Sequence, residues 1–143
     1  MGNLSEHFNY KDFTCKCPNC KGKGEYKIHL GLVGALEALR TKVNKHIKID
    51  QAYRCDEQNE KLGGNKKSFH IRGKAAHISV DNMKLPELYK HIKEIEGIKG
   101  IGLNVKENTL HIDTRDANPS EWVKEGKDQY ILLTSEKRQT YGL

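Results

Sequence analysis

The sequence predicts an α+β fold, a small antiparallel sheet with helices packed on it. Two kinds of pattern predict this. Residues 28–45, "IHLGLVGALEALRTKVNK", space Ile28, Leu32, Ala35, Leu36, Leu39 and Val43 as one face of a helix. Later stretches are short, alternating and broken by turns, as half-buried strands are. The order is helix first, then strands interrupted by further helices.

The elements follow in turn. "IKIDQAYR" (47–54) alternates Ile47 and Ile49 and reads as a strand. "DEQNEKLGG" reads as a short helix stopped by Gly63 and Gly64. "AAHISV" (75–80) is a second strand. Residues 86–96 open with Pro86, favoured in a first helical turn, and carry Leu88, Ile92 and Ile95 as an apolar stripe. "IKGIGLNV" (98–105) and "NTLHIDT" (108–114) form a hairpin, and "YILLT" (130–134) is a last strand. No repeat, low-complexity tract or linker interrupts the chain, and 143 residues suit one domain spanning 1–143.

Composition narrows the partners. No apolar run approaches the ~20 residues needed to cross a bilayer, so no membrane association is expected. The start, "MGNLSEHFNYKDF", has neither a basic nor an apolar segment, which predicts synthesis in the cytoplasm without a signal peptide. The net charge of +6 favours anionic partners. Its lysines, however, are scattered among acids with no Arg-rich arm, so a solvated surface is expected and nucleic acid is not.

Two constellations carry chemistry. His70 and His77 lie seven residues apart in "SFHIRGKAAH", and His111 stands in "HIDTR". On a strand, positions i and i+2 share a face, so Thr109, His111 and Asp113 point one way, joined by Glu107 if the strand is regular that far. Three histidines and a neighbouring carboxylate are the components of a catalytic metal site. His29, His46 and His91 fall on or beside helices among lysines and read as surface residues. The second constellation is "CKCPNC", which supplies Cys15, Cys17 and Cys20, with Cys55 distant. These four suit a structural zinc site; disulfides and free thiols are the alternatives.

Taken together, these blocks resemble the zinc D-Ala-D-Ala carboxypeptidase family, in particular its phage-type peptidoglycan peptidases, which share a fold with the hedgehog signalling domain. The resemblance runs from "LSEHFNYKDFTCKC" through "RDANPSEW". Ser68, His70, Gly73 and Ala75 match the motif S-x-H-x-x-G-x-A-x-D, and "QAYR" (51–54), "NEKLGG" (59–64) and "HIDTR" (111–115) follow the short branch in order. The resemblance implies a zinc peptidase acting on D-amino-acid-containing stem peptides of peptidoglycan, as a carboxypeptidase or an endolysin-type endopeptidase. It implies Zn2+ held by His70, His77 and His111, with Arg54 and Ser68 beside the substrate. Asp113, or Glu107, would be the carboxylate that takes a proton from zinc-activated water, with Arg54 steadying the oxyanion. A monomer is expected, and the absence of a signal peptide fits an enzyme encoded by a phage or virus that reaches the cell wall after release, or a cytoplasmic dipeptidase. A non-catalytic zinc module of the same fold is the alternative.

Three departures stand out. His77 occupies the position where the family carries aspartate. Gln51-Ala52 replaces Ser-Gly. Asn108 stands where many relatives place glutamate.

Overall fold

A computed structural model describes residues 2–18, 20, 26–62, 68–126 and 129–143. After a 3-10 turn at Tyr10–Phe13 come helix α1 (Leu30–Val43), strand β1 (Ile47–Gln51), helix α2 (Asp56–Lys61) and strand β2 (Ala75–Val80). Helix α3 (Leu85–Lys93), strands β3 (Gly100–Asn104), β4 (Thr109–Asp113), β5 (Ser120–Gly126) and β6 (Gln129–Leu132), and helix α4 (Ser135–Tyr141) complete the chain. The six strands form one sheet in the order β1-β2-β4-β3-β5-β6.

The α+β reading holds, with one refinement. The sheet is mixed: β3 and β5 pair in parallel, whereas the other pairings are antiparallel. The reason is that β5 does not follow β4 as a hairpin. It crosses to the far side of β3, so it runs with β3. β5 is also the strand that the sequence patterns do not reveal. Between Ser120 and Gly126 only Val123 is buried. Helix α4 escapes for a similar reason, since none of its residues is buried.

One face of the sheet makes the core. Ile78, Val80, Ile101, Leu103, Leu110, Ile112 and Val123 meet Leu32, Leu36 and Leu39 of α1 and Leu88 and Ile92 of α3. The helical spacing in 28–45 thus marks a real core face, although α1 begins two residues later than the pattern and stops at Asn44, which caps it in the left-handed conformation (φ 51). Helix α2 ends at Lys61; the expected Gly63-Gly64 stop lies outside the described residues. A bulge between Ile49 and Gln51 turns β1 so that Ile49 faces the core and Gln51 the other side.

The helices are bolted to β5 by charge. Glu121 accepts hydrogen bonds from Tyr89 and Lys93 of α3 and from Arg138 of α4, the last at 2.7 Å. Burial disfavours its ionisation, but these three donors outweigh that and hold the carboxyl below its usual range. A depressed carboxyl stabilises the fold fully above its unfolded pKa, ~4.3, and the gain disappears as pH falls through the folded value. Glu121→Gln should therefore cost about 1–3 kcal/mol at neutral pH. Denaturant unfolding should show the gap from wild type closing in acid; a gap that persists there would mean the charge contributes nothing.

Candidate metal centre

The face opposite the core carries the histidines. Strand register sets Gln51 opposite His77, His77 opposite His111, His111 opposite Gly102, Gly102 opposite Trp122 and Trp122 opposite Leu132. This is a single row across all six strands. His70 joins it from the turn that precedes β2. That turn is set by Ser68, whose Oγ accepts the His70 N–H at 3.2 Å, and by Gly73, at φ 71. A Cβ on Gly73 would stand 2.3 Å from the Lys27 carbonyl oxygen, so only glycine fits there.

The three imidazoles converge. Ring centroids are 4.7, 5.2 and 5.3 Å apart, each pair edge to face. His70 Nδ1 lies 2.7 Å from the Ala52 carbonyl oxygen, to which it donates, leaving Nε2 without a proton and 3.2 Å from His77 Nε2. Two ligand nitrogens ~2.0–2.1 Å from a tetrahedral ion stand about 3.3 Å apart. The observed separation is that of ligands sharing an ion. His111 Nε2 lies 2.7 Å from Asp113 Oδ2, which leaves Nδ1 as its available nitrogen. Each residue offers one ligand atom, and these atoms all lie within 4.8 Å of one another.

Charge favours the same reading. Burial, then the neighbouring His111, Arg54 and Lys124, push the His77 imidazolium down to about 3. Burial and the neighbouring His111, His77 and Arg54 hold His70 well below its ordinary value. Both rings are therefore neutral near pH 7, as metal ligands must be. The residues present fit a divalent ion of the zinc type.

Arg54 and Ser68 stand beside the histidines. The Arg54 guanidinium donates to Ser68 Oγ at 3.3 Å, and its backbone N–H donates to the His70 carbonyl. Its Nε is buried without a hydrogen-bond partner among the described residues, and burial lowers its pKa. A desolvated guanidinium with an unused donor is suited to an anionic or polarised oxygen.

The two carboxylates expected to take a proton are placed differently. Asp113 is fully buried. It accepts from His111 Nε2, from the Arg115 backbone N–H at 3.2 Å, and from Arg115 Nε and Nη2 at 2.8 and 2.7 Å. Four donors fill a carboxylate's acceptor sites. Burial opposes ionisation, but the Arg115 and His111 bonds prevail and hold the carboxyl well below the carboxylate range. Such a group binds a proton poorly. Glu107 lies in the turn between β3 and β4, exposed, with Asn104 as its partner. Strand alternation stops at Thr109 because Asn108 takes the left-handed conformation (φ 54), so Glu107 does not share the row of His111 and Asp113. Among the described residues, Asp113 is the one carboxylate bonded to any of the three histidines.

Four residues complete the site that the motifs alone do not single out. A Cβ on Gly100 would meet the Asp113 carboxylate at 2.1 Å, and one on Gly102 would meet the Trp122 indole at 2.4 Å. The two glycines of "GIG" are thus where a carboxylate and a ring lie flat on the strand, and glycines two apart on one strand were the available signal. Trp122 sits 5.1 Å from the His111 ring. Arg115 lies over the Phe69 and Trp122 rings, at 4.8 and 5.4 Å, while it grips Asp113.

The fold and the converging histidines define a class, a metallopeptidase-like α+β protein with its metal ligands on a sheet face. The sequence pattern of the family described as Peptidase M15 matches residues 6–113, and the chain belongs to that family. M15 peptidases are zinc-dependent, in keeping with the donor set found here. No curated protein matches the chain significantly.

Trp122 is the sole tryptophan, so its fluorescence reports on the centre. Titrating the metal-free protein with zinc or paramagnetic cobalt should change that emission saturably. His111→Ala should abolish the response. An unchanged titration in that variant would place the metal elsewhere.

Proposed function

We propose that this protein is a zinc peptidase that hydrolyses peptide bonds in D-amino-acid-containing stem peptides of peptidoglycan. The observation that carries the proposal is the meeting of three converging imidazoles with a desolvated guanidinium on a half-buried sheet face, in a chain of the M15 family. His70, His77 and His111 would hold zinc. When bound, zinc there supplies Lewis acidity, polarising a carbonyl and activating water near neutral pH.

The chain's own groups do the rest. Arg54 receives the scissile carbonyl oxygen or a substrate carboxylate, with Ser68 fixing its side chain. Asp113 positions His111: it holds the proton on Nε2 and turns Nδ1 toward the other two rings. Arg115 keeps Asp113 ionised for that task. Lys124, near enough to His77 to influence its titration, adds positive charge along the path of an anionic peptide. The basic surface suits an anionic wall, and a lysis enzyme of phage type is the setting we infer for it.

The filled acceptor sites of Asp113 and the neutral third ligand, His77, also favour a second reading, a zinc module of this fold that binds wall peptides without cleaving them. Assays of peptide release from peptidoglycan and from D-Ala-D-Ala peptides, with and without chelator, separate the two. The peptidase reading expects chelator-sensitive turnover. It expects Arg54→Lys to lose about 10²-fold in kcat, the scale of one lost oxyanion donor. Wall binding with no turnover in zinc-loaded protein would establish the second reading.

Asp113→Asn should weaken zinc affinity about 10–100-fold, since it replaces the charge that orients His111. His77→Asp should keep the metal, because aspartate is an equally good zinc ligand. Equilibrium dialysis with zinc measures both; unaltered affinity in Asp113→Asn would refute the positioning role.

A further inference from the structure

The geometry points to a second metal centre, in which Cys15, Cys17, Cys20 and Cys55 bind a soft divalent ion such as zinc as a four-thiolate structural site that fastens the N-terminal segment to the β1–α2 connection. Three of the cysteines come from "CKCPNC", and the fourth is the N-cap of α2, about 40 residues on. Chain folding brings their four sulfurs within 4.8 Å of one another.

The separations distinguish the possible states of these thiols. Cys17 Sγ and Cys55 Sγ are 3.7 Å apart. A disulfide needs ~2.05 Å. Sulfurs bound at ~2.3 Å to one tetrahedral ion are separated by about 3.8 Å. This pair therefore has the edge length of a tetrathiolate, and the other sulfurs lie within 4.8 Å. The cluster also has the hydrogen bonds that thiolates require: the Cys55 N–H donates to Cys15 Sγ and the Gln58 N–H to Cys55 Sγ, both at 3.4 Å. Cys15 and Cys17 are almost fully buried, with neither contributing to the main core.

The surroundings show what the ion would hold. Phe8 and Phe13 insert into the core just before the first cysteine. Lys16 Nζ reaches the Ile49 and Asp50 carbonyls at the end of β1, at 3.3 and 3.4 Å. Among its described residues the segment has little regular structure, one 3-10 turn and one isolated bridge, Thr14 to Tyr26. A four-thiolate ion ties this segment to β1 and α2 where backbone pairing does not.

The two centres respond to different variants, so each can be lost alone. Zinc-loaded wild type should hold two equivalents per chain, one for each cluster. The His70→Ala/His111→Ala double variant should retain one, and cobalt substituted into it should show the intense near-ultraviolet thiolate-to-metal absorption that nitrogen ligands do not give. In that variant all four cysteines should resist a thiol reagent until chelator is added. Cys17→Ser/Cys55→Ser should lose this absorption, one metal equivalent and thermal stability, while cobalt bound at the histidines remains. If the serine variant does not fold, the cobalt spectrum and thiol protection of the histidine variant still decide the matter. Rapid reaction of all four thiols in metal-loaded protein, or a Cys17–Cys55 disulfide in material prepared under zinc, would overturn the proposal.

Discussion

The pairing of β2 with β4 sets His77 directly opposite His111, and the rest of the site depends on that register. A slip by one residue would send one histidine into the core and bring Ile78 or Ile112 onto the open face. The core prevents it. Ala76, Ile78, Leu110 and Ile112 are all fully buried on the helix side, so burial of apolar surface and presentation of the ligands are the same constraint. The bulge in β1 serves the same end, since it lets Gln51 flank His77 while Ile49 stays inside.

Electrostatics divides the site into two layers. The outer layer is neutral or short of counter-charge: two imidazoles kept uncharged by burial, and a guanidinium with an unused donor. The inner layer is a closed ion pair, Asp113 with Arg115, seated on Gly100 and roofed by Phe69 and Trp122. Satisfying the buried carboxylate so completely makes it a firm anchor for His111, and the same completeness unfits it for accepting a proton.

Much of this was legible in the sequence, for identifiable reasons. Helix α1 and the β3–β4 hairpin show because their apolar positions are dense enough to display a period. His70, His77 and His111 show because strand parity and a glycine turn leave few ways to arrange them. The place of Glu107 hangs on a condition that parity cannot test, an unbroken strand, and Asn108, in a left-handed turn, breaks it. The setting of Asp113 was not readable because it depends on Arg115 folding back and on the absence of a side chain at Gly100, a strand away. β5 stayed hidden because Glu121 and Glu125 stand on its helix-facing side, where alternation would call for apolar residues. Helix contacts satisfy those two charges instead.

The parallel pairing of β5 with β3 has a consequence for how the molecule can change. The metal-binding residues and their supports lie almost wholly within 6–113, the span shared with the family. Trp122 and Lys124, and the exposed Tyr130 and Leu132 that pair with them on the same face, come from the chain beyond it. Their strands join the histidine-bearing strands through the edge of β3. The metal-binding row and the wall next to it are thus joined along one strand edge. A change in the β5–β6 ribbon can therefore reshape the wall beside the histidines while β2 and β4 keep the ligands in register.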